Sequence, residues 1–174
     1  MTLNFTNGTI RVAHFFQVGV VSYDPSTQGA IVAIDQSYDL IGLQVNGVVG
    51  YSPLLYQNGS YYGLSIGGGP IGADAIGQGT WQHFAHAGLT ASDFGQYAIS
   101  GSGGPHPDFS STGAPIKIGY LNSNSFSGGA TQISGIDNLS LVFHTATPVF
   151  WDGGGDGISW NDPNNWSNNV LPTT

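Results

Sequence analysis

Short apolar runs with a two-residue period, each stopped within a few positions by Gly, Asn or Pro, constrain this chain more than any other feature. In TIRVAHFFQVGVVSY, Ile10, Val12, Phe16, Val18 and Val20 share one parity, which is the pattern of a strand with one buried face. DPSTQG (24–29) marks a turn, AIVAID (30–35) a short apolar strand, and DLIGLQVNGVVGY (39–51) a further strand with a break at Asn46-Gly47. Asn58-Gly59 stands between the aromatic-rich runs PLLYQ and SYYGLSI. Both turn residues tolerate positive φ, so this is the clearest hairpin signal in the chain. Residues 66–79 read as a glycine-rich loop and TWQHFAHAG as a strand. In LTASDF, Thr90 followed three residues later by Asp93 predicts a capping box and one helical turn. A long loop covers Ser100–Ala114, and PIKIGYLN and GIDNLSLVFHTA are the last two strands. About eight short strands and no helix longer than a turn predict an all-β fold, a two-sheet antiparallel sandwich or jelly roll. It occupies residues 1–147, with an extended Trp/Asp/Gly-rich tail or connector over 148–174.

Composition agrees. All ten acidic residues are Asp, and Arg11 and Lys117 are the only basic ones. Glu, Lys and Arg are strong helix formers, so their scarcity favours strands and loops. A net charge of −8 with two cations cannot make the basic stripe that nucleic acid requires, nor one that attracts anionic membrane surfaces. No run reaches transmembrane length, so no membrane insertion is expected. The absence of Cys excludes disulfides, thiolate metal sites and thiol nucleophiles. No secretory leader is visible ahead of TLNFTNGTIRV, so an exported protein would be present here in trimmed form. A surface built from neutral polar residues suits an extracellular or cell-surface location. Asn-x-Ser/Thr triplets at Asn4, Asn7, Asn58, Asn138 and Asn165 are compatible with that location and also arise by chance in an Asn/Ser/Thr-rich chain.

Catalytic motifs are lacking. His83 and His86 are three apart on an expected strand and point to opposite faces, so they cannot chelate one metal together. The other histidines, His14, His106 and His144, read as ordinary polar residues. No G-x-S-x-G elbow follows a strand, and the glycine-rich run lacks the G-K-[ST] ending of a phosphate cradle. A glycoside hydrolase would need two Asp as its acid/base pair. Calcium is the better inorganic candidate, because Asp, Asn and loop carbonyls supply the hard oxygens it takes. Asp137 and Asn138 form one candidate site; Asp152, Asp156 and Asp162 form another, which partly follows an EF-hand loop but lacks its third and twelfth ligands. The competing reading is turn chemistry, since Asp and Asn cap turns without metal. Exposed rings stack on sugars. Tyr51, Tyr56, Tyr61 and Tyr62 around the hairpin, together with Trp81, are the candidate glycan platform, against the ordinary role of cross-strand aromatic pairs in sheets. Trp151, Trp160 and Trp166 are candidate anchors for docking the tail on its own domain or on another copy.

Several segments together resemble a known kind of module: AIDQSYDLIG, SPLLYQNGSYY, GTWQHFAHAGLTASDF, PDFSSTGAPIKIGYLNSNS and SGIDNLSLVF. They are similar to a laminin-G-like or jelly-roll β-sandwich of large secreted or surface bacterial proteins, often ones with sorting signals. The likeness spans roughly residues 28–144. The tail resembles the lead-in to a following repeat in such architectures. GIDNLSL is similar to the closing strand of carbohydrate-binding jelly rolls, whose Asp often helps hold a structural Ca²⁺; this implies Asp137 here. The resemblance implies an extracellular, non-catalytic protein. Three readings follow: an adhesive or matrix module that binds glycans through exposed aromatics, a self-assembling filament subunit joined to copies of itself through its tail and first strand, and, more remotely, an Asp-dependent glycoside hydrolase.

Overall fold

The computed structural model describes residues 4–15, 22–45, 48–65, 74–96, 104–131 and 133–172. Phe16, Val18 and Val20, the Asn46-Gly47 break and residues 66–73 of the glycine-rich stretch lie outside the described residues. Ten strands are described: β1 (Asn4–Phe15), β2 (Ser22–Tyr23), β3 (Ile31–Gln44), β4 (Val48–Gln57), β5 (Ser60–Leu64), β6 (Asp74–Ile76), β7 (Gln82–Leu89), β8 (Phe94–Gln96), β9 (Ile116–Thr131) and β10 (Ile133–Thr145). They form two antiparallel sheets. The larger runs β1-β9-β4-β5-β8, with β2 beside β9 and β6 beside β4; the smaller runs β10-β3-β7. Among the described residues no helix is long and apolar enough to cross a membrane.

The sheets face each other across an apolar core. Ile34 and Leu89 from the small sheet meet Leu55, Tyr62, Phe94, Ile116 and Ile118 from the large one. A second cluster joins Tyr38 and Leu40 to Val49, Tyr51 and Ile76. Strand β3 shows why this sequence makes a sandwich. Ile34, Gln36, Tyr38, Leu40 and Gly42 are buried, while Asp35, Ser37, Asp39 and Ile41 alternate with them on the outer side. The two runs expected at 30–35 and 39–51 are in fact divided differently. Gln36, Ser37 and Tyr38 continue the alternation, so one strand spans 31–44 and the chain crosses to the other sheet before β4.

Three further differences have local causes. Asp74–Ile76, expected in a loop, adds a short strand at Val49–Tyr51, where β5, paired only from Leu54 onward, leaves the edge of β4 open. Strand β9 continues past Asn122 to Thr131 because its polar second half pairs with β1. Of the long loop expected at 100–114, residues 100–103 lie outside the described residues; the rest is tied down by Gln57, whose amide donates to the Asp108 and Ala114 carbonyls (2.8 and 2.7 Å) and accepts from Asp108 N–H (2.7 Å). It thereby places Phe109 in the core. The Asn58-Gly59 hairpin has φ of +49° and +80° and closes the Gln57–Ser60 pair. At the expected capping box, Thr90 N–H donates to Asp93 Oδ2 at 2.8 Å above a single 3₁₀ turn.

The tail is held by side chains rather than by strands. Its two ends lie antiparallel through a Trp151–Trp166 bridge, with Asp152 N–H donating to the Asn165 carbonyl (2.9 Å) and Ser167 N–H to the Phe150 carbonyl (2.8 Å). Asn165, fully buried, is the hub. Its Oδ1 accepts from Gly155 and Gly157 N–H (3.0 and 2.8 Å), and its Nδ2 donates to Asp156 Oδ1 and the Ser159 carbonyl (2.7 and 3.0 Å). Trp151 stacks on Trp160 at 6.1 Å, and Trp166 meets both edge-on at 5.2 and 4.5 Å. Trp166 Nε1–H donates to the Trp160 carbonyl (2.9 Å). Five aspartates along the chain share one device: Asp24, Asp108, Asp152, Asp156 and Asp162 each accept the N–H two residues on, at 2.9–3.0 Å.

Candidate functional site: the outer face of the small sheet

Two β-bulges give this face its shape. Between Ile34 and Gln36 of β3, strand β7 carries an extra residue at Ala87-Gly88, with Gly88 at φ +68°. Between Asp39 and Ser37, strand β10 carries another at Asn138-Leu139, with Asn138 at φ +51°. A bulge of this kind needs a residue that tolerates the left-handed region, and Gly and Asn do.

Each bulge is tied to an aspartate of the central strand. Asp35 Oδ1 accepts Gly88 N–H from β7 (2.7 Å), and its Oδ2 accepts His144 Nε2–H from β10 (2.7 Å). Asp39 reverses the sides: Oδ2 accepts the Asn138 amide from β10 (2.6 Å) and Oδ1 accepts His83 Nδ1–H from β7 (2.6 Å). The two carboxylates thus cross-brace three strands. The Gly88 N–H, then His144, hold the Asp35 carboxyl below the usual carboxylate range; Asn138, then His83, do the same for Asp39. Asp137 stands directly opposite Asp39 in the ladder. Like charges in that position repel, which the donors around Asp39 offset.

Because a carboxylate only accepts, the neutral rings carry their protons on His83 Nδ1 and His144 Nε2. His83 and His144 are 63% and 47% exposed, and among the described residues their second nitrogens have no protein partner. Those nitrogens are acceptors turned toward solvent. Between the two braces lies a depression of about 250 Å³, lined by Asp35, Gln36, Ser37, Ala85, His86, Ala87, Ser140 and Val142. Ser37, Ala85, Ala87 and Ser140 are the small residues that leave it open. Trp81 sits at the other end, one position beyond the Gln82–Leu40 pair, with half its surface exposed. Its ring lies over Gly135, where a Cβ would come within 3.3 Å of it. From the level of Ile41 to that of Asp35 the face runs roughly 20 Å at the usual rise per residue.

The other side chains singled out from the sequence go elsewhere. Tyr51 and Tyr62 are core residues, 4% and 6% exposed, so their rings are not open to a ligand; strand parity turns them inward. Tyr51 bonds Ser134 across the sheets at 2.7 Å. Tyr56 and Tyr61 form a cross-strand pair at 5.0 Å beside the hairpin, with Lys117 over Tyr56 at 5.6 Å. Asp137 accepts the Asn138 N–H at 2.8 Å. In the tail, Asp162 accepts from Asn164 and Asp156 N–H, and Asp156 from Ile158 N–H, Ser159 and Asn165. Bonds from Ser159, chiefly, hold the Asp156 carboxyl far below its ordinary range. Among the described residues no group of three or more His, Asp, Glu or Cys is arranged to hold a metal ion.

His86, as its spacing from His83 dictates, points inward. Asp74 Oδ2 accepts from both His86 (2.8 Å) and the Tyr38 hydroxyl (2.6 Å). Burial, then Asp74, pushes the Tyr38 phenol well above its usual range. Gln36 sits close enough to ease that shift, yet both its buried amide atoms lack a partner at hydrogen-bond geometry.

Sequence reasoning missed Asp35, Asp39, His144 and the bulges. Asp35 and Asp39 are four apart, which puts them on one face of a strand; reading 31–44 as a single strand finds them. No family model matches the chain, and no curated protein matches it.

Proposed function

We propose that this is a non-catalytic extracellular adhesive or matrix module that binds a glycan along the outer face of its small sheet. The observation that carries this reading is the exposed Trp81 at the head of a row of polar groups, His83, Asn138 and His144, set around a floor of small residues. A half-exposed indole offers a stacking surface for a sugar, and two solvent-facing imidazole nitrogens accept from hydroxyls. The resemblance of five segments to extracellular β-sandwich modules supports the same reading, as does a surface built mostly from neutral polar residues.

An Asp-pair hydrolase is the weaker alternative. Such an enzyme needs one carboxyl kept protonated by its surroundings. Asp39, which faces Asp137, is instead held in the charged form, and the pair lies on an open sheet face.

The test is a glycan array followed by titration of hits against the parent protein and Trp81→Ala. Losing the ring should weaken binding about tenfold, roughly 1.4 kcal/mol. An array without hits, or hits indifferent to Trp81, would refute the reading.

A second reading, a self-assembling filament subunit, is favoured by one feature. Phe150, Trp151, Ile158, Trp160, Val170 and Leu171 are all exposed in the tail, an apolar concentration of the kind that marks contact surfaces. Strand β1 also lies at a sheet edge. Sedimentation at rising concentration tests it: a monomer throughout would remove it.

A further inference from the structure

We infer that the glycan bound on this face carries no acidic groups, and that the charge of the face performs the selection. This rests on the reading of the face as a glycan site. The face holds three carboxylates, Asp35, Asp39 and Asp137, and two imidazoles, His83 and His144. Its charge is therefore −3 with neutral rings and −1 with both protonated, so it stays negative wherever the carboxylates are ionised. The only basic residues of the chain, Arg11 and Lys117, stand on β1 and β9 of the other sheet.

A uronate or sulfate ester is held most strongly by a guanidinium fork or an ammonium. None is present here. The N–H of each neutral ring is already committed to an aspartate, so toward a ligand the ring offers only an acceptor; a protonated ring would turn its second N–H outward, but its charge stays paired with that aspartate. Asp35 and Asp39 resist protonation because of the bonds they accept, and the chain's net charge of −8 adds a long-range field of the same sign. A hydroxyl-rich neutral chain meets acceptors and an aromatic ring; an amine-bearing sugar meets in addition a favourable field.

The experiment compares three soluble oligosaccharide pools at pH 7 in low salt: neutral glucan, oligogalacturonate and chitosan oligomers. Each is titrated against the parent protein, Trp81→Ala and Ser140→Lys. The last adds one cation to the floor of the depression at an exposed position. We expect Trp81-dependent binding of neutral or amine-bearing oligomers, and oligogalacturonate at least tenfold weaker. Ser140→Lys should narrow that gap severalfold, with an unchanged melting temperature showing that the variant folds. Oligogalacturonate bound as tightly as the neutral pool, with Trp81 still required, would overturn the charge selection and leave the glycan site standing. No binding from any pool would overturn both.

Discussion

The sandwich and the tail reach order by opposite means. In the sandwich, strand parity buries every second side chain of β3, most of them apolar, and backbone pairing follows across two sheets. Among the described residues, Trp166 is the buried apolar side chain that belongs to the tail. There a single amide, Asn165, and three aspartates organise the backbone one N–H at a time, and the tryptophans cover the result. The sandwich is specified by a pattern spread over many positions, the tail by a few residues that each hold several groups. One consequence is where each is fragile.

The largest effect should come from Phe94→Ala. Phe94 is fully buried between the sheets against Phe109, and truncating such a ring costs about 3–5 kcal/mol. Urea unfolding should show that loss, while the near-UV circular dichroism of the packed tail tryptophans persists at low denaturant. If both signals vanish together, the two regions are one cooperative unit and the contrast fails.

Asn165→Ala comes next and attacks the other side. Gly155 and Gly157 N–H and the Asp156 carboxylate all lose a partner. The expected cost is about 2–3 kcal/mol, confined to the tail. Hydrogen exchange should show Gly155 and Gly157 losing protection while the amides of β3 keep theirs. Protection lost in both places would again merge the regions.

Acid should act on both. The Asp35, Asp39 and Asp156 carboxyls all lie below their unfolded values. A depressed carboxyl stabilises the fold above its unfolded pKa of about 4, and that contribution is lost as pH falls through the folded value. Melting temperature should hold from pH 7 to about 5 and decline below about 4. Asp156 is lowered furthest, so tail signals should outlast those of the Asp35 and Asp39 braces in the same titration. The reverse order would show that the braces bind their carboxylates more strongly.

The smallest change sharpens the account of the sandwich. Gln36 is buried with neither amide atom bonded, an arrangement that costs free energy. Gln36→Met keeps the length and removes the polar atoms, so stability should stay level or rise by about 1 kcal/mol. A loss of more than that would mean the amide has a partner, such as a trapped water.

Legibility in the sequence followed the same division. The hairpin at Asn58-Gly59 and the turn at Thr90–Asp93 could be read directly, because each is set by the residues that make it. The extent of β3 could not, since Gln36 interrupts the apolar run while its position in the alternation is intact. Strand β6 depends on a vacant stretch of a neighbour's edge, which no local pattern encodes. At the site, Trp81 was visible as an aromatic candidate, whereas the braces join residues 109 and 99 positions apart (Asp35 to His144, Asp39 to Asn138) and exist only once the sheet is assembled. In the tail the tryptophans stood out, but the role of Asn165 did not, because an Asn among many carries no mark.

The five aspartates that accept the N–H two residues on bear on how the acidity of this chain is to be understood. Asn makes the same turn without a charge, whereas Glu, one methylene longer, does not reach. Half of the ten aspartates are therefore fasteners that happen to be ionised, and their number is no index of the salinity or solubility to which the protein is suited. Exchanging Asp108 or Asp152, which accept through a single oxygen, for Asn would raise the isoelectric point while sparing the local turn, whereas Asp156 and Asp162 use both oxygens and need the carboxylate.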